Sequence, residues 1–143
     1  MSDAMDDMLW SLNPENDNME KTILRMKECA EGAQSTYSTN IEMEVDQKVK
    51  SVKLDMKARH EFFLIFKEAL LSIAELANGS TSLINVDLTD GKLSLKIKNS
   101  EVNLRNNELV RYEMEQRAKL INAELDMLCD KNGISIILLV PLH

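Results

Sequence analysis

Apolar residues in this chain recur at two spacings, and the alternation between them lays out the elements. Met5, Met8, Leu9 and Leu12 fall at helical spacing with Asp3, Asp6 and Asp7 opposite, which predicts a short helix over 2–12. Asn13-Pro14 ends it, because a residue before proline is pushed out of the helical region. Asp17-Asn18-Met19-Glu20 reads as a capping box, with Asp17 three residues before Glu20. The helix it opens carries Met19, Ile23, Met26, Ala30, Ala33 and Tyr37 on one face. Ile41-Glu42-Met43-Glu44-Val45 alternates with period two and predicts a strand. Asp55 can cap a further long helix that runs to about Ala77 and stops at Asn78-Gly79. That helix is apolar over much of its circumference (Phe62, Phe63, Ile65, Phe66, Ala69, Leu70, Ile73, Ala74), so it should be the most buried.

Residues 82–88 and 92–98 predict two strands joined at Thr89-Asp90-Gly91, with Leu93, Leu95 and Ile97 facing in. A helix over about 107–121 follows. A last hairpin pairs 124–129 with 134–140 through Lys131-Asn132-Gly133. Helices separated by hairpins predict an α/β (α+β) two-layer sandwich, with the helices on one face of a mixed, mostly antiparallel sheet.

Composition narrows the function. The 143 residues suit one domain with a single core. Aromatic residues are only 4% and methionines number nine, so the core should be aliphatic and adaptable. Net charge is −7 with no run of Lys or Arg, which argues against a nucleic-acid partner, since phosphate binding needs a basic stripe. Cys29 and Cys129 lie far apart without a C-x-x-C partner, so neither a disulfide framework nor a zinc motif is expected. Two reduced thiols fit a cytoplasmic location. The N-terminus is acidic where a secretory leader would be basic. The longest apolar run, 134–142, is broken by Ser135 and Pro141; it is too short to span a membrane and no membrane contact by this segment is expected.

Several motifs occur in a telling order. Asp6-Asp7-Met8-Leu9-Trp10-Ser11-Leu12-Asn13-Pro14 is followed by Glu15-Asn16-Asp17, then by Ile65-Phe66-Lys67-Glu68-Ala69 and Met114-Glu115-Gln116-Arg117-Ala118. Gly133-Ile134-Ser135-Ile136 and Val140-Pro141 close the chain. Together they resemble the ATP-binding domain of two-component sensor histidine kinases, and the likeness spans nearly the whole sequence. The resemblance implies the Bergerat fold. It also implies that 1–14 is a helical linker from a dimerisation hairpin absent from the sequence, and that 15–143 is the histidine-kinase-like ATPase domain.

The same resemblance identifies what the family's boxes have become. Glu68 matches the glutamate that orders water or Mg²⁺ near the phosphates, whereas Ser72 stands where the family has its Mg²⁺-binding asparagine. Glu75 and Leu76 replace a basic residue and a histidine. Asn99 stands in place of the aspartate that accepts the adenine amino group; it keeps a carbonyl acceptor and loses the charge. Glu101 and Asn103 replace two glycines of the D-x-G-x-G loop. The second glycine-rich box is unrecognisable over 106–111, which leaves the ATP lid nearly absent. In the last box Lys131 replaces the first glycine, Gly133 survives and Ile134 replaces threonine.

None of the four glycines, Gly32, Gly79, Gly91 and Gly133, lies between Asn99 and Arg111, where bare backbone would cradle phosphates. Glu75, Glu101 and Glu108 add negative charge there. One carboxylate about 4 Å from a phosphate charge costs on the order of 4 kcal/mol at an effective dielectric near 20. The expectation is a signalling module that acts by protein contact without useful ATP binding. Glu68, Ser72, Asn99, Glu101, Asn103 and Gly133 would be its nucleotide-site remnant, with no catalytic residue and no cofactor. The alternative is a functional catalytic domain with altered boxes that still holds ATP and Mg²⁺ through Glu68 and Asn99. Expected partners are a response regulator or the dimerisation helices of a sensor kinase. His60 reads as a surface histidine, because the family's phospho-acceptor belongs to an upstream hairpin. Glu68, Ser72 and Glu75 read by default as a solvated helix stripe. The stripe Met5, Met8, Leu9 and Leu12 either packs on the domain or forms an apolar docking patch.

Overall fold

The computed structural model describes residues 3–13, 18–102 and 108–142. The elements run α1 (Asp3–Leu12), α2 (Met19–Tyr37), β1 (Asn40–Val45), a short 3-10 helix (Gln47–Ser51), α3 (Met56–Ala74), β2 (Thr81–Thr89), β3 (Lys92–Asn99), α4 (Glu108–Leu120), β4 (Glu124–Asp130) and β5 (Gly133–Pro141). The five strands form one sheet in the order β1-β2-β3-β5-β4. β1 runs parallel to β2, because α3 carries the chain back between them, and every other pair is antiparallel. The α+β sandwich with a mixed, mostly antiparallel sheet is thus the observed fold.

Strand parity decides which residues meet the helices. Pairing of Ile84 with Ile97, and of Ile97 with Ile136, puts Ile84, Val86, Leu93, Leu95, Ile97, Ile136 and Leu138 on one buried face. Phe62, Ile65, Phe66, Leu70 and Ile73 of α3 and Met19, Ile23 and Met26 of α2 complete the core. At roughly 25 cal/mol per Å² of apolar area removed from water, this shared face is the main stabilising contribution. The opposite face carries Glu42, Lys96, Lys98 and Asp126, all exposed.

Four details differ from the sequence reading, the first being that α3 stops at Ala74, nearly a turn short of Ala77. The cap of α2 is Asn18, whose Oδ1 accepts the Lys21 N–H at 2.8 Å; Asp17 lies outside the described residues. His60 is buried at 6% exposure, not on the surface. It sits in the first turns of α3, which are covered: beside it Arg59 donates to the Leu54 carbonyl at 2.8 Å. The 3-10 helix was not foreseen, as only Val49 of its five residues is buried and Asp46 caps it by accepting the Lys48 N–H.

Helix α1 docks by its polar side. Asp7, with 2% of its side chain exposed, accepts from Arg25 of α2 at 3.0 Å and from Lys67 of α3 at 2.8 Å. The Arg25 guanidinium lies over both the Trp10 and Phe63 rings, at 5.3 and 5.7 Å from their centroids. A cleft of about 360 Å³ lies beside this joint, lined by Asp7, Cys29, Gly32, Phe63, Lys67 and Leu71 among others.

Candidate functional site

The residues singled out in the sequence form two groups, one at the ends of β3 and β5 and one between α3 and α4. At the first, alternation along β3 turns Asn99 to the same side as Ile97, where it is 1% exposed. Its amide nitrogen donates to Ser80 Oγ and Ser82 Oγ, both at 3.0 Å. Its Oδ1 accepts the Glu101 backbone N–H at 2.8 Å, a tight side-chain turn that reverses the chain. Because a backbone N–H can only donate, the oxygen must face Glu101, and the amide nitrogen therefore faces the serines. Ser80 in turn gives its hydroxyl proton to the Ala77 carbonyl at 2.9 Å. Ser80 can thus offer residue 99 only lone pairs. Among the described residues no buried side-chain polar atom is left without a partner.

Gly133 belongs to the same group for a steric reason. Its φ is +106°, and a Cβ there would lie 2.5 and 2.6 Å from Cα and C of Ser100. The glycine lets β5 start directly against the end of β3, so backbone packing alone accounts for a glycine at this position. Glu101 is exposed and Val102 is buried. Asn103 lies outside the described residues, as do Asn106 and Asn107, whereas Glu108 to Arg111 form the first turn of α4.

The second group sits where α4 packs on α3. Glu68 Oε2 is 3.7 Å from Arg117 Nε, and Arg117 Nη1 donates to Glu61 Oε1 at 3.0 Å. Glu68 also shares a hydrogen bond with Glu113. Burial, that hydrogen bond and the Glu113 charge together push the Glu68 carboxyl up to about 7, against the opposing pull of Arg117. Ser72 follows one turn later, half-buried, and Glu75 is exposed at the helix end. Glu68 is therefore part of an interhelical network rather than a solvated stripe. Among the described residues no group of three or more His, Cys, Asp or Glu is arranged to hold a metal ion. None of Glu68, Ser72, Asn99, Glu101 or Gly133 lines the cleft beside α1.

Ser80 and Ser82 were missed in the sequence, as were Glu61, Glu113 and Arg117. Ser82 carried a readable signal: it has the parity of Ile84 and Val86, and a serine on an inward face needs a polar partner. The Glu68–Arg117 contact depends on how two distant helices cross, which no local pattern encodes.

No family model matches the sequence, and no curated protein matches it. Solved structures do. The chain superposes on the blue-light activated histidine kinase EL346 of Erythrobacter litoralis with a TM-score of 0.73 at 12% identity, over 97% of this chain and 51% of that one. It superposes on the histidine kinase AdeS of Acinetobacter baumannii with a TM-score of 0.71 at 8% identity, covering 98% of this chain and 76% of that one. The catalytic domain of histidine kinase ThkA gives a TM-score of 0.68 at 13% identity, covering 87% and 92%. This chain therefore has the fold of histidine kinase catalytic domains, the Bergerat fold that the sequence resemblance implied. It spans about half the length of the Erythrobacter kinase.

Proposed function

We propose that this chain is a histidine-kinase-like module whose nucleotide site has been rebuilt as structure, and that it signals by protein contact in the cytoplasm. The observation that carries the reading is the wiring of Asn99. Ser80 presents only lone pairs to position 99, so the position calls for a donor, which asparagine supplies and the family's aspartate does not. The asparagine carbonyl that would meet an adenine amino group has one of its two lone pairs committed to the Glu101 N–H and is held in that turn. Arg117 already sets a positive charge 3.7 Å from the Glu68 carboxylate, which disfavours a divalent cation beside it, and Ser72 offers a single hydroxyl in place of an amide oxygen. These residues do not fit a nucleotide with its Mg²⁺. The partners fitting the reading are a response regulator or the dimerisation helices of a sensor kinase. The described helices include none long and apolar enough to cross a membrane.

Calorimetric titration of ATP and ADP, with and without Mg²⁺, into the purified chain tests this. The expected result is no heat and no shift in melting temperature with any of the four. Micromolar binding would overturn it and favour a catalytic domain with altered boxes; Ser72→Asn with Glu101→Gly should then tighten that binding.

A further inference from the structure

The cleft of about 360 Å³ beside α1 is a groove between facing stripes of two helices. Arg25, Cys29, Gly32 and Thr36 stand at i, i+4, i+7 and i+11 on α2, opposite Phe63, Lys67 and Leu71 at i, i+4 and i+8 on α3. The two helices run the same way, since Ser38 just past α2 accepts from Gly79 beyond the end of α3. Asp7 sits at the Arg25 end, because α1 turns its polar side inward and leaves Met5, Met8, Leu9 and Leu12 exposed. Gly32 keeps the groove open. It stands in the middle of α2, where glycine costs helix stability relative to alanine. Its φ is not in the left-handed region, and a Cβ built on it would meet nothing within 4 Å. Backbone conformation and packing therefore leave that cost unexplained, whereas an open groove accounts for it.

The chemistry of the occupant follows from the groove's own wall. At the α1 end Asp7 accepts one hydrogen bond from Arg25 and one from Lys67, so two cations share a single carboxylate. A guanidinium and an ammonium each carry further donors, and both groups line the groove. Glu28 also borders it, but on the exposed rim, where water screens its charge. Along the rest of the wall lie Phe63, Leu71 and the Cys29 thiol, which burial pushes above its usual value and so keeps neutral. Spare donors at one end and apolar surface along the remainder suit a small molecule with one charged end. We propose that this groove binds a small amphiphilic anion, its anionic head against Lys67 and Arg25 and its apolar body along Phe63 and Leu71. The site is separate from the rebuilt nucleotide site and does not depend on how that site is read.

The test titrates the whole 143-residue chain with decanoate, decanol and decylamine by calorimetry. Decanoate should bind with a Kd of roughly 0.1–1 mM, at least about fivefold tighter than either of the others. The net charge of −7 favours the amine over the surface at large, so this order reads the cations in the groove. Saturating decanoate should slow alkylation of Cys29 by N-ethylmaleimide at least about fivefold and leave Cys129 of β4 unchanged. Gly32→Met should weaken decanoate by about tenfold or more without lowering the melting temperature, because methionine is the better helix former and meets open space. Lys67→Met leaves Asp7 and Arg25 balanced in charge, and should bring decanoate to within about twofold of decanol. Binding of decylamine as tight as that of decanoate, no decanoate binding below about 5 mM, or an unprotected Cys29 would overturn the proposal. So would indifference of decanoate to Gly32→Met, or a preference over decanol that survives Lys67→Met. Co-sedimentation with phosphatidylglycerol vesicles, lost in Gly32→Met, would assign the groove to a bilayer lipid and overturn the proposal equally.

Discussion

At position 99 the Ser80 hydroxyl leaves a place for a donor and none for a second acceptor, because it already gives its proton to the Ala77 carbonyl. Asn99→Asp would set a carboxylate oxygen against that lone pair in a site with 1% exposure. Either Ser80 abandons Ala77 or the carboxylate stays partly unpaired, and the cost should be about 2 kcal/mol. Urea unfolding at neutral pH measures it as a lower midpoint with an unchanged slope. Restoring the family's acidic residue is therefore expected to weaken the fold without restoring the family's chemistry. Much of this was within reach of the sequence. The inward parity of Asn99 with Leu93, Leu95 and Ile97, and of Ser82 with Ile84 and Val86, marks both as buried polar groups. Which lone pair or proton each presents depends on Ser80 and Ala77, in the bend just before β2, and that required coordinates.

Between elements, α3 and α4 meet through three carboxylates and one guanidinium. Glu68 holds its proton to about 7 in the folded chain, above the ordinary carboxylate value of 4.5 to which it returns on unfolding. The folded state therefore binds the extra proton between those values, so this group lowers stability as pH rises from about 4.5 to about 7, with the full penalty above that. The side chain is 22% exposed by area and the group is only partly desolvated, so solvent screening brings the expected effect down to about 1 kcal/mol. Glu68→Gln should raise the melting temperature at pH 8, leave it nearly unchanged at pH 5, and flatten the slope between. Element identities were legible from local pattern, since α3 is apolar over much of its circumference, β3 alternates and β5 is a short apolar run bounded by a turn. Boundaries moved most at the start of α2, where Asn18 is the cap, and at the end of α3, which stops at Ala74 and not at Ala77. His60 escaped because a lone histidine carries no pattern that marks it as buried.

For the molecule as a whole, the hairpins β2–β3 and β4–β5 could be read from their turns, where Asp90-Gly91 takes φ of +51° and +75°. The pairing of β3 with β5 and the parallel edge strand β1 joins segments far apart in sequence, and resemblance to a known fold supplied what spacing could not. How α1 would lie was open, and it was settled by one buried carboxylate outweighing four apolar side chains. Asp7→Asn removes the charge that both cations serve, and docking should weaken by about 2 kcal/mol, less than for a fully enclosed pair because Arg25 and Lys67 are 29% and 22% exposed. Trp10 is the only tryptophan, so a red-shifted emission reports the release directly. This joint also differs in kind from the rest of the helical layer. The packing of α2 and α3 on the sheet is apolar and tightens in strongly hydrated salts, whereas the hold on Asp7 is Coulombic and is screened as the Debye length falls from about 10 Å at 0.1 M to about 3 Å at 1 M. Strongly hydrated salts thus act on the two in opposite directions, and the helix that carries the exposed apolar stripe can be loosened while the domain beneath it grows more stable.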